Sequence, residues 1–311
     1  IPSSFWPKKA RLLSGFFVHY NQGAHLISEY MKGICLTTLG VLILSFDGLL
    51  IRLISVEAFD LLFWRGLLMS LMVLAILLLR KPNASLLPRD AAALRSSFFL
   101  CISTITFVVA ISLSSVANVL VIISSQPLFA AVLGWLILRE MPAPVTWVAI
   151  VICIFGIGWV LAGSWSTPSL VGDLMALVCC ISLAAKFVND RAVSHRDMTP
   201  SLILAGLAVA LISWVMGDPM AFSGSQWGYM ITLCLFVNPI AFFLITLGPM
   251  RIPAAEVGML MLLETAVGPL WVWLVLTEEP GSAALQGGSL VIATLLLHSL
   301  YQWQQRRLAS A

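Results

Sequence analysis

Four main ionisable residues lie well inside long apolar stretches of this sequence, away from the ends of those stretches: Asp47, Arg65, Lys186 and Glu264. An ionised side chain at the centre of a bilayer costs roughly 2.5–3.5 kcal/mol on insertion scales, so such residues usually form ion pairs, bind ligands or transfer protons. A carboxylate can bind a cation or exchange a proton, whereas arginine and lysine can hold a carboxylate or a phosphate. Which of these roles each residue can have depends on the depth at which its segment places it.

The composition predicts an all-α integral membrane protein. Of the 311 residues 60% are hydrophobic and only 10% are charged, whereas a soluble globular protein carries about 25% charged residues. The apolar runs, roughly 18 to 22 residues long, match the ~30 Å hydrocarbon core when helical. They lack the apolar–polar alternation of a transmembrane barrel.

Ten transmembrane helices are predicted, and short connections make neighbouring helices antiparallel. The predicted spans are 33–54, 58–79, 97–115, 117–138, 144–163, 171–188, 199–216, 226–247, 254–276 and 283–302. With the N-terminus in the cytoplasm, the lysines and arginines outside the spans fall on the inner side, and Arg52, at the outer end of the first span, is the one basic residue on the outer side. The positive-inside rule therefore predicts two cytoplasmic termini, with residues 1–32 as a basic, aromatic tail at the inner membrane surface and 303–311 as a C-terminal tail.

The two halves of the chain repeat one another. At an offset of 138 residues Gln126 aligns with Glu264 and Pro142 aligns with Pro280, and at an offset of 139 Asp47 aligns with Lys186. Each repeat, 33–163 and 171–302, contains five predicted spans. Because five is odd, the second repeat must enter the membrane inverted, as in many secondary transporters.

Three segments carry a resemblance to a known family. They are "LLFWRG" (61–66), "SSQPLFAAVLGWLILRE" (124–140) and "LLETAVGPLWVWLVLTEEP" (262–280). With the two five-span halves, they resemble EamA-type permeases of the drug/metabolite transporter superfamily. The resemblance implies a transporter of small molecules, within a superfamily that includes amino-acid exporters, drug and metabolite exporters and sugar-nucleotide carriers. Relatives often have Glu-Pro in the ninth span, whereas here Thr265 follows Glu264 and the proline is Pro269.

Asp47 and Arg65 are predicted to meet. Each lies about seven residues from the outer end of its span, so both sit roughly 10 Å below the outer surface on antiparallel neighbours. The pair could fix two helices structurally, or form part of a gate or substrate site. Lys186 takes the place of Asp47 in the inverted half, where it could pair with Asp190 or Asp197 near the inner side, or contact an anionic group of a substrate.

Glu264 lies near the middle of its span, where its side chain cannot reach either surface. Gly268 and Trp271 share its helical face, which offers a carboxyl group, a gap and an aromatic wall. This face suits a polar or cationic ligand with an apolar part, and the carboxyl could also exchange protons. A hydrogen-bonded carboxyl that stabilises the helix bundle is the alternative. Gln126 and Asn238 are further candidate substrate-binding residues, and broken helices are expected at three intramembrane prolines, Pro127, Pro239 and Pro269.

Several classes of site are not encoded. The sequence has no phosphate-binding GK[ST] loop and no HExxH or G-x-S-x-G motif, which disfavours ATP-driven transport and enzymatic catalysis. The six cysteines are interpreted as packing residues and show no metal-ligand spacing. No metal site, cofactor or nucleic-acid partner is expected. The small-residue segments "GIGWVLAG" (156–163) and Gly287–Gly288 indicate close helix packing or a homodimer contact.

The sequence therefore predicts a secondary active transporter of the inner (plasma) membrane. It would move a small polar or amphipathic metabolite, with an amino-acid-like solute favoured, by alternating access around a midplane cavity lined by spans one to four and six to nine. Export is slightly favoured. The alternative is proton- or gradient-coupled uptake of a cationic or zwitterionic solute, and a membrane scaffold or an intramembrane enzyme is a remote third class.

Overall fold

A computed structural model describes residues 30–80, 90–139, 141, 144–163, 169–193, 196–219, 222, 224–248, 250–252 and 254–310. The predicted N-terminal tail lies outside these residues, apart from its last three positions. The described helices are α1 (30–44), α2 (Asp47–Ile54), α3 (Ala58–Arg80), α4 (Ala91–Leu113), α5 (Val116–Ser124), α6 (Gln126–Leu138), α7 (Pro144–Gly163), α8 (Ser169–Ala192), α9 (Thr199–Met216), α10 (Gly224–Ile231), α11 (Asn238–Thr246), α12 (Ala254–Leu276) and α13 (Ser282–Ser310), and a π-helical segment (Thr232–Val237) joins α10 to α11.

The helices are long and apolar enough for a multi-pass membrane protein. In the described part of the chain, eight helical segments of at least 18 residues could cross a bilayer. Leu260–Leu276 and Ser282–His298 are shorter apolar stretches within α12 and α13. The all-helical, multi-pass architecture is thus confirmed, and the count of ten spans stays a prediction.

Some helices extend beyond their predicted spans because polar turns continue an apolar helix. α4 begins at Ala91 rather than at residue 97, since three alanines follow Asp90, whose extended conformation makes it the N-cap. α13 continues past residue 302 to Ser310 through glutamines and arginines, which are good helix formers. Hydropathy marks the membrane-buried part of these helices and not their ends.

Three spans are interrupted at membrane depth. α1 and α2 are separated by a turn at Ser45–Phe46, and α5 and α6 meet at Ser125, just before Pro127. The π-helical segment directly precedes Asn238 and Pro239, because a proline removes one backbone donor and its ring displaces the carbonyl one turn earlier. A break at Pro269 was also predicted and is wrong, since α12 continues through this residue.

The two repeats pack on one another through equivalent helices. α3 packs on α9, α7 on α13 and α5 on α12, and each of these pairs joins one predicted span to its counterpart in the other repeat. The α3–α9 crossing depends on glycine: a Cβ added to Gly206 would lie 2.6 Å from the carbonyl oxygen of Gly66 and would also meet Ser70. The helix backbones are therefore in direct contact at this crossing.

The second repeat runs through the bundle in the opposite direction to the first. Gly33, near the start of α1, packs against Arg251 and Ile252, whereas Gly172, near the start of α8, packs against Leu113 and Ser114. These contacts lie at opposite ends of the bundle. We call the end with Arg52, Ser114 and Glu278 the acidic end, and the end with Arg251 and the Arg196–Asp90 ion pair the basic end.

The small-residue segments pack within the chain. A Cβ on Gly156 would lie 2.7 Å from Cγ2 of Val291, and one on Gly287 would lie 2.6 Å from the carbonyl oxygen of Gly156. These glycines bring α7 against α13. They account for the small-residue signal without a second copy of the chain, and a homodimer stays a prediction.

Replacing Gly206 by alanine should destabilise the protein, because the new methyl group would overlap the Gly66 carbonyl oxygen on α3. Overpacking of this kind costs about 1–3 kcal/mol, so we expect the thermal unfolding midpoint of the purified protein to fall by several degrees. G158A is the matched control, since a Cβ at Gly158 meets nothing within 4 Å. Equal midpoints for the two variants would contradict the close α3–α9 crossing.

Candidate functional site

Asp47 and Arg65 form a buried, two-point ion pair between α2 and α3. The Nη1 atom of Arg65 donates to Oδ1 of Asp47 at 2.6 Å, and Nη2 donates to Oδ2 at 2.7 Å. Both residues are 1% exposed. Parallel hydrogen bonds between guanidinium and carboxylate are the strongest polar contact available to these groups, and they fix both orientations.

The turn at Ser45–Phe46 positions Asp47 for this contact. It makes Asp47 the first residue of α2, where the free backbone N–H groups of the helix start stabilise a carboxylate. The guanidinium of Arg65 lies 5.8 Å from the ring centroid of Phe107 on α4, within cation–π distance. Its Nε atom is buried without a hydrogen-bond partner, so the pair leaves one donor unused.

Glu264 on α12 is buried beside this pair. It is 6% exposed, and no described residue forms a hydrogen bond or an ion pair with its carboxyl group. Asp47 and Arg65 are its charged neighbours. Because Asp47 already neutralises Arg65, an ionised Glu264 would leave the cluster with an unbalanced negative charge, whereas a protonated Glu264 would leave it neutral.

Glu264, Asp47 and Arg65 line one central cavity of about 40 Å³. A buried water needs about 10–15 Å³ measured in this way, so the cavity has room for a few waters and not for a metabolite. Its polar groups come from α2, α3, α4, α8 and α12, and the rest of the wall is apolar. The lining residues are Leu44, Asp47, Arg65, Ser103, Thr104, Phe107, Ile123, Cys179, Leu183, Phe187, Phe242, Ile245, Met261 and Glu264.

The cavity wall matches the predicted set of spans except for the seventh. The lining residues come from both repeats, but none comes from α9. α9 packs its buried face on α3 and α4 instead. This helix contacts α3 on the residues that follow Arg65, through Gly66 and Ser70.

Asn238 and Gln126 are both fully buried but have different surroundings. The side-chain N–H of Asn238 donates to Oδ1 of Asp47 at 3.5 Å, and its Oδ1 atom has no partner. Asn238 therefore extends the charge cluster. Gln126, at the start of α6, has no partner for either amide atom and does not belong to the cavity lining.

Trp271 lies outside the cavity lining, and the structure places it against the interruption of the first span. Its indole N–H donates to Oγ of Ser45 at 3.1 Å. Its ring stacks on Phe46 with a centroid distance of 4.8 Å and an interplanar angle of 19°. In this conformation it contacts a helix break and does not form a wall beside Glu264.

Lys186 pairs with Asp190 one turn further along α8, with an Nζ–Oδ2 distance of 2.5 Å. Both residues are buried, so Lys186 does not reach the surface. Asn189 donates to the carbonyl oxygen of Ala92 at 2.9 Å and joins this part of α8 to α4. Lys186 does not line the cavity. Its ion pair lies within one helix, whereas the Asp47–Arg65 pair connects two.

A larger pocket opens at the acidic end. We call it the vestibule; its volume is about 700 Å³ and it lies between α2, α3 and α4, with Gln226 of α10 at its edge. Arg52 lines it, donating to the carbonyl oxygen of Ser114 at 2.6 Å and pairing with Glu278 at 3.5 Å. Asp60 lies about 8 Å along α3 from Arg65 and also lines it. Asp47, Arg65 and Phe107 line the central cavity, and none of them lines the vestibule.

Sequence reasoning missed much of the cavity wall. Ser103, Thr104 and Phe107 lie on α4, and Phe187 and Phe242 lie on α8 and α11. Serines, threonines and phenylalanines are common in membrane helices, so single residues of these types carry little information. The polar run "STIT" (103–106) was the one available signal.

Removing one partner of the ion pair should destabilise the protein strongly. Breaking a buried pair typically costs about 3–5 kcal/mol because the remaining charge is buried without a counterion. We expect D47N and R65Q each to lower the thermal unfolding midpoint and the yield, and the charge exchange D47R/R65D to recover part of the loss. The control is E278Q, since the half-exposed Arg52–Glu278 pair should contribute only about 0–1 kcal/mol. Full stability of D47N would contradict a stabilising pair.

Comparisons with known proteins agree with this architecture. The model of the EamA-like transporter family matches residues 31–162 and again residues 170–300. A solved structure, described only as a crystal structure of a protein, is similar with a TM-score of 0.67 and 17% sequence identity, over 87% of this chain and 98% of that one; at this identity it shows the fold alone. The comparison with curated proteins found no match. Because the family model covers both halves, this chain belongs to the EamA-like transporter family.

Proposed function

We propose that this protein is a secondary active transporter of the plasma membrane that moves a small amphipathic, amino-acid-like metabolite with a cationic amine. The observation that carries the proposal is the Glu264 carboxyl group, which lines a cavity shared by both repeats and has no partner among the described residues. A buried carboxylate needs a counterion or a proton. A substrate amine and a proton can therefore neutralise the Glu264 carboxylate alternately.

The wall of the cavity favours an apolar body on the substrate. Phe187, Phe242, Ile245 and Met261 provide apolar surface, and the polar groups cluster around Asp47 and Arg65. A ligand whose amine contacts Glu264 would have its apolar part against this surface. Because Asp47 occupies Nη1 and Nη2 of Arg65, a substrate carboxylate has only the unpartnered Nε donor or a backbone group to bind.

Alternating access requires a barrier on each side of the cavity, and Asp47–Arg65 with Phe107 supplies one toward the acidic end. The vestibule lies beyond this layer. The small cavity volume supports the interpretation that this conformation is closed around Glu264. Separation of the Asp47–Arg65 pair would join the vestibule to the cavity, and we propose this step as the gate on the outer side.

The direction that we propose is export in exchange for protons. The family resemblance favours this direction. Uptake of a cationic or zwitterionic solute by the same site is the second candidate, because a single carboxylate that accepts either a proton or an amine works in both directions.

Replacement of Glu264 by glutamine should abolish amine binding, because the amide keeps the shape and removes the charge. We would measure the thermal unfolding midpoint of the purified protein with the standard amino acids and with apolar primary amines such as phenethylamine. At least one amine-bearing compound should stabilise the native protein and fail to stabilise E264Q. E278Q, which changes a carboxylate outside the cavity, should respond like the native protein. Equal stabilisation of E264Q would show that Glu264 does not bind the amine.

Proton exchange at Glu264 predicts a transport rate that changes with pH. In proteoliposomes loaded with a stabilising amine, an imposed proton gradient should drive accumulation by the native protein, and E264Q should lose this response. A flux that is independent of the gradient between about pH 5.5 and 8 would reject proton coupling and leave facilitated diffusion.

A further inference from the structure

The interruption of the first span is mild: the Ser45 N–H still donates to the Val41 carbonyl oxygen at 2.9 Å, and the Phe46 N–H donates to that of Ile43 at 3.4 Å. The residues "LSFD" (44–47) contain neither proline nor glycine, the usual causes of a sharp helix break. Locally, Ser45 Oγ donates to the carbonyl oxygen of Leu42 at 2.7 Å, and a bond of this kind often bends a helix. A contact from another part of the molecule also fixes this bent geometry.

Trp271 supplies this contact. It donates a hydrogen bond to Ser45 and stacks on Phe46, so it contacts both residues of the turn. Gly268, one turn earlier on α12, also lies beside the turn: a Cβ there would be in van der Waals contact with the carbonyl oxygen of Ser45 at 3.7 Å, and it would meet Cδ1 of Leu120 on α5 at 2.6 Å. We call these contacts of Gly268 and Trp271 with Ser45 and Phe46 the clasp.

The clasp lies between the two charged elements of the site. Leu44 and Asp47, the residues on either side of the turn, both line the central cavity. On α12, Glu264 lies about two turns before Trp271 on the same helical face. A shift of α12 would therefore displace the turn, and with it the carboxylate that holds Arg65.

We propose that Trp271 is a positioning residue of the transport cycle, which holds the break of the first span so that movements of the Glu264 helix are transmitted to the Asp47–Arg65 pair. This inference rests on the gating role given to that pair above. In this proposal Trp271 connects the second repeat to the first and does not contact the substrate. It also gives the Ser45 hydroxyl a role in addition to its bond with the Leu42 carbonyl oxygen, as the acceptor of the Trp271 indole N–H.

The native cysteines offer a reporter that needs no known substrate. Cys179 lines the central cavity, whereas its neighbour Cys180 does not and is fully buried. A variant that keeps Cys179 alone and a matched variant that keeps Cys180 alone would be placed in lipid nanodiscs. The labelling rate of each thiol by a charged, membrane-impermeant methanethiosulfonate then measures access to the cavity and to the protein interior respectively.

Loss of the clasp should open the cavity. We expect W271F, which keeps a ring but loses the indole N–H, and S45A to raise the Cys179 labelling rate several-fold each. The double variant W271F/S45A should label no faster than S45A, because the hydrogen bond that W271F removes is already lost in S45A. W271L, which also loses the stacking, should label fastest. Cys180 should label at the same low rate throughout, which also verifies that each variant is folded.

W159F is the matched control substitution. Trp159 on α7 donates a similar indole hydrogen bond to Gln286 on α13 at 3.0 Å, far from the cavity lining. Its replacement should leave Cys179 labelling unchanged. Unchanged Cys179 labelling in W271F, S45A and W271L, additive effects of the two clasp substitutions, or an equal effect of W159F would each overturn the proposal.

The neutral double variant D47N/R65Q separates the clasp from the gate. It should raise Cys179 labelling by itself, and W271F added to it should have no further effect, since the pair on which the clasp acts is already absent. If D47N/R65Q labels like the parent protein, the gating role fails. If D47N/R65Q labels fast but W271F and W271L alone do not, the gate stands and only the clasp is rejected.

Discussion

The buried pair of Asp47 and Arg65 is the interaction on which the rest of this site depends. Two charges at membrane depth are tolerated only when each has a close counterion and further polar support. The fold meets this need with an interrupted span that sets Asp47 at a helix start, a ring of Phe107 against the guanidinium and an amide from Asn238. With Arg65 neutralised by Asp47, the Glu264 carboxyl group in the same cavity has no partner among the described residues.

The inverted repeat gives the two halves the same scaffold and different chemistry. Where the first repeat has an ion pair between two helices, the second has Lys186 and Asp190 within α8. Where the second repeat has Glu264 in the cavity, the first has Gln126 outside it. The charged pair toward the acidic end is buried, whereas the Arg196–Asp90 pair at the basic end is half-exposed, so we infer that the two barriers of the transport cycle differ in kind.

Residue type and depth were enough to predict the multi-pass helical fold, because apolar runs of bilayer length have few other solutions. The depth of the two residues and the antiparallel packing of their helices likewise predicted the contact between Asp47 and Arg65. The surroundings of Trp271 could not be predicted in this way. Trp271 shares a helical face with Glu264, so the sequence placed it beside that residue. The turn at Ser45–Phe46 has no proline or glycine to mark it, and the contact of Trp271 with this turn depends on the packing of α12 on the first span. The sequence also could not predict which phenylalanines line the cavity, since an apolar residue in a membrane helix can face lipid, the protein core or a cavity.

The most direct test of the account is the number of protons released when an amine binds. An amine that stabilises the purified protein would be added to it in weakly buffered detergent solution near neutral pH, and the pH change would be recorded by electrode. If Glu264 exchanges a proton for the amine, the native protein releases close to one proton per ligand bound. Binding without proton release, or the same release from E264Q with the amine still bound, would contradict the central role of Glu264.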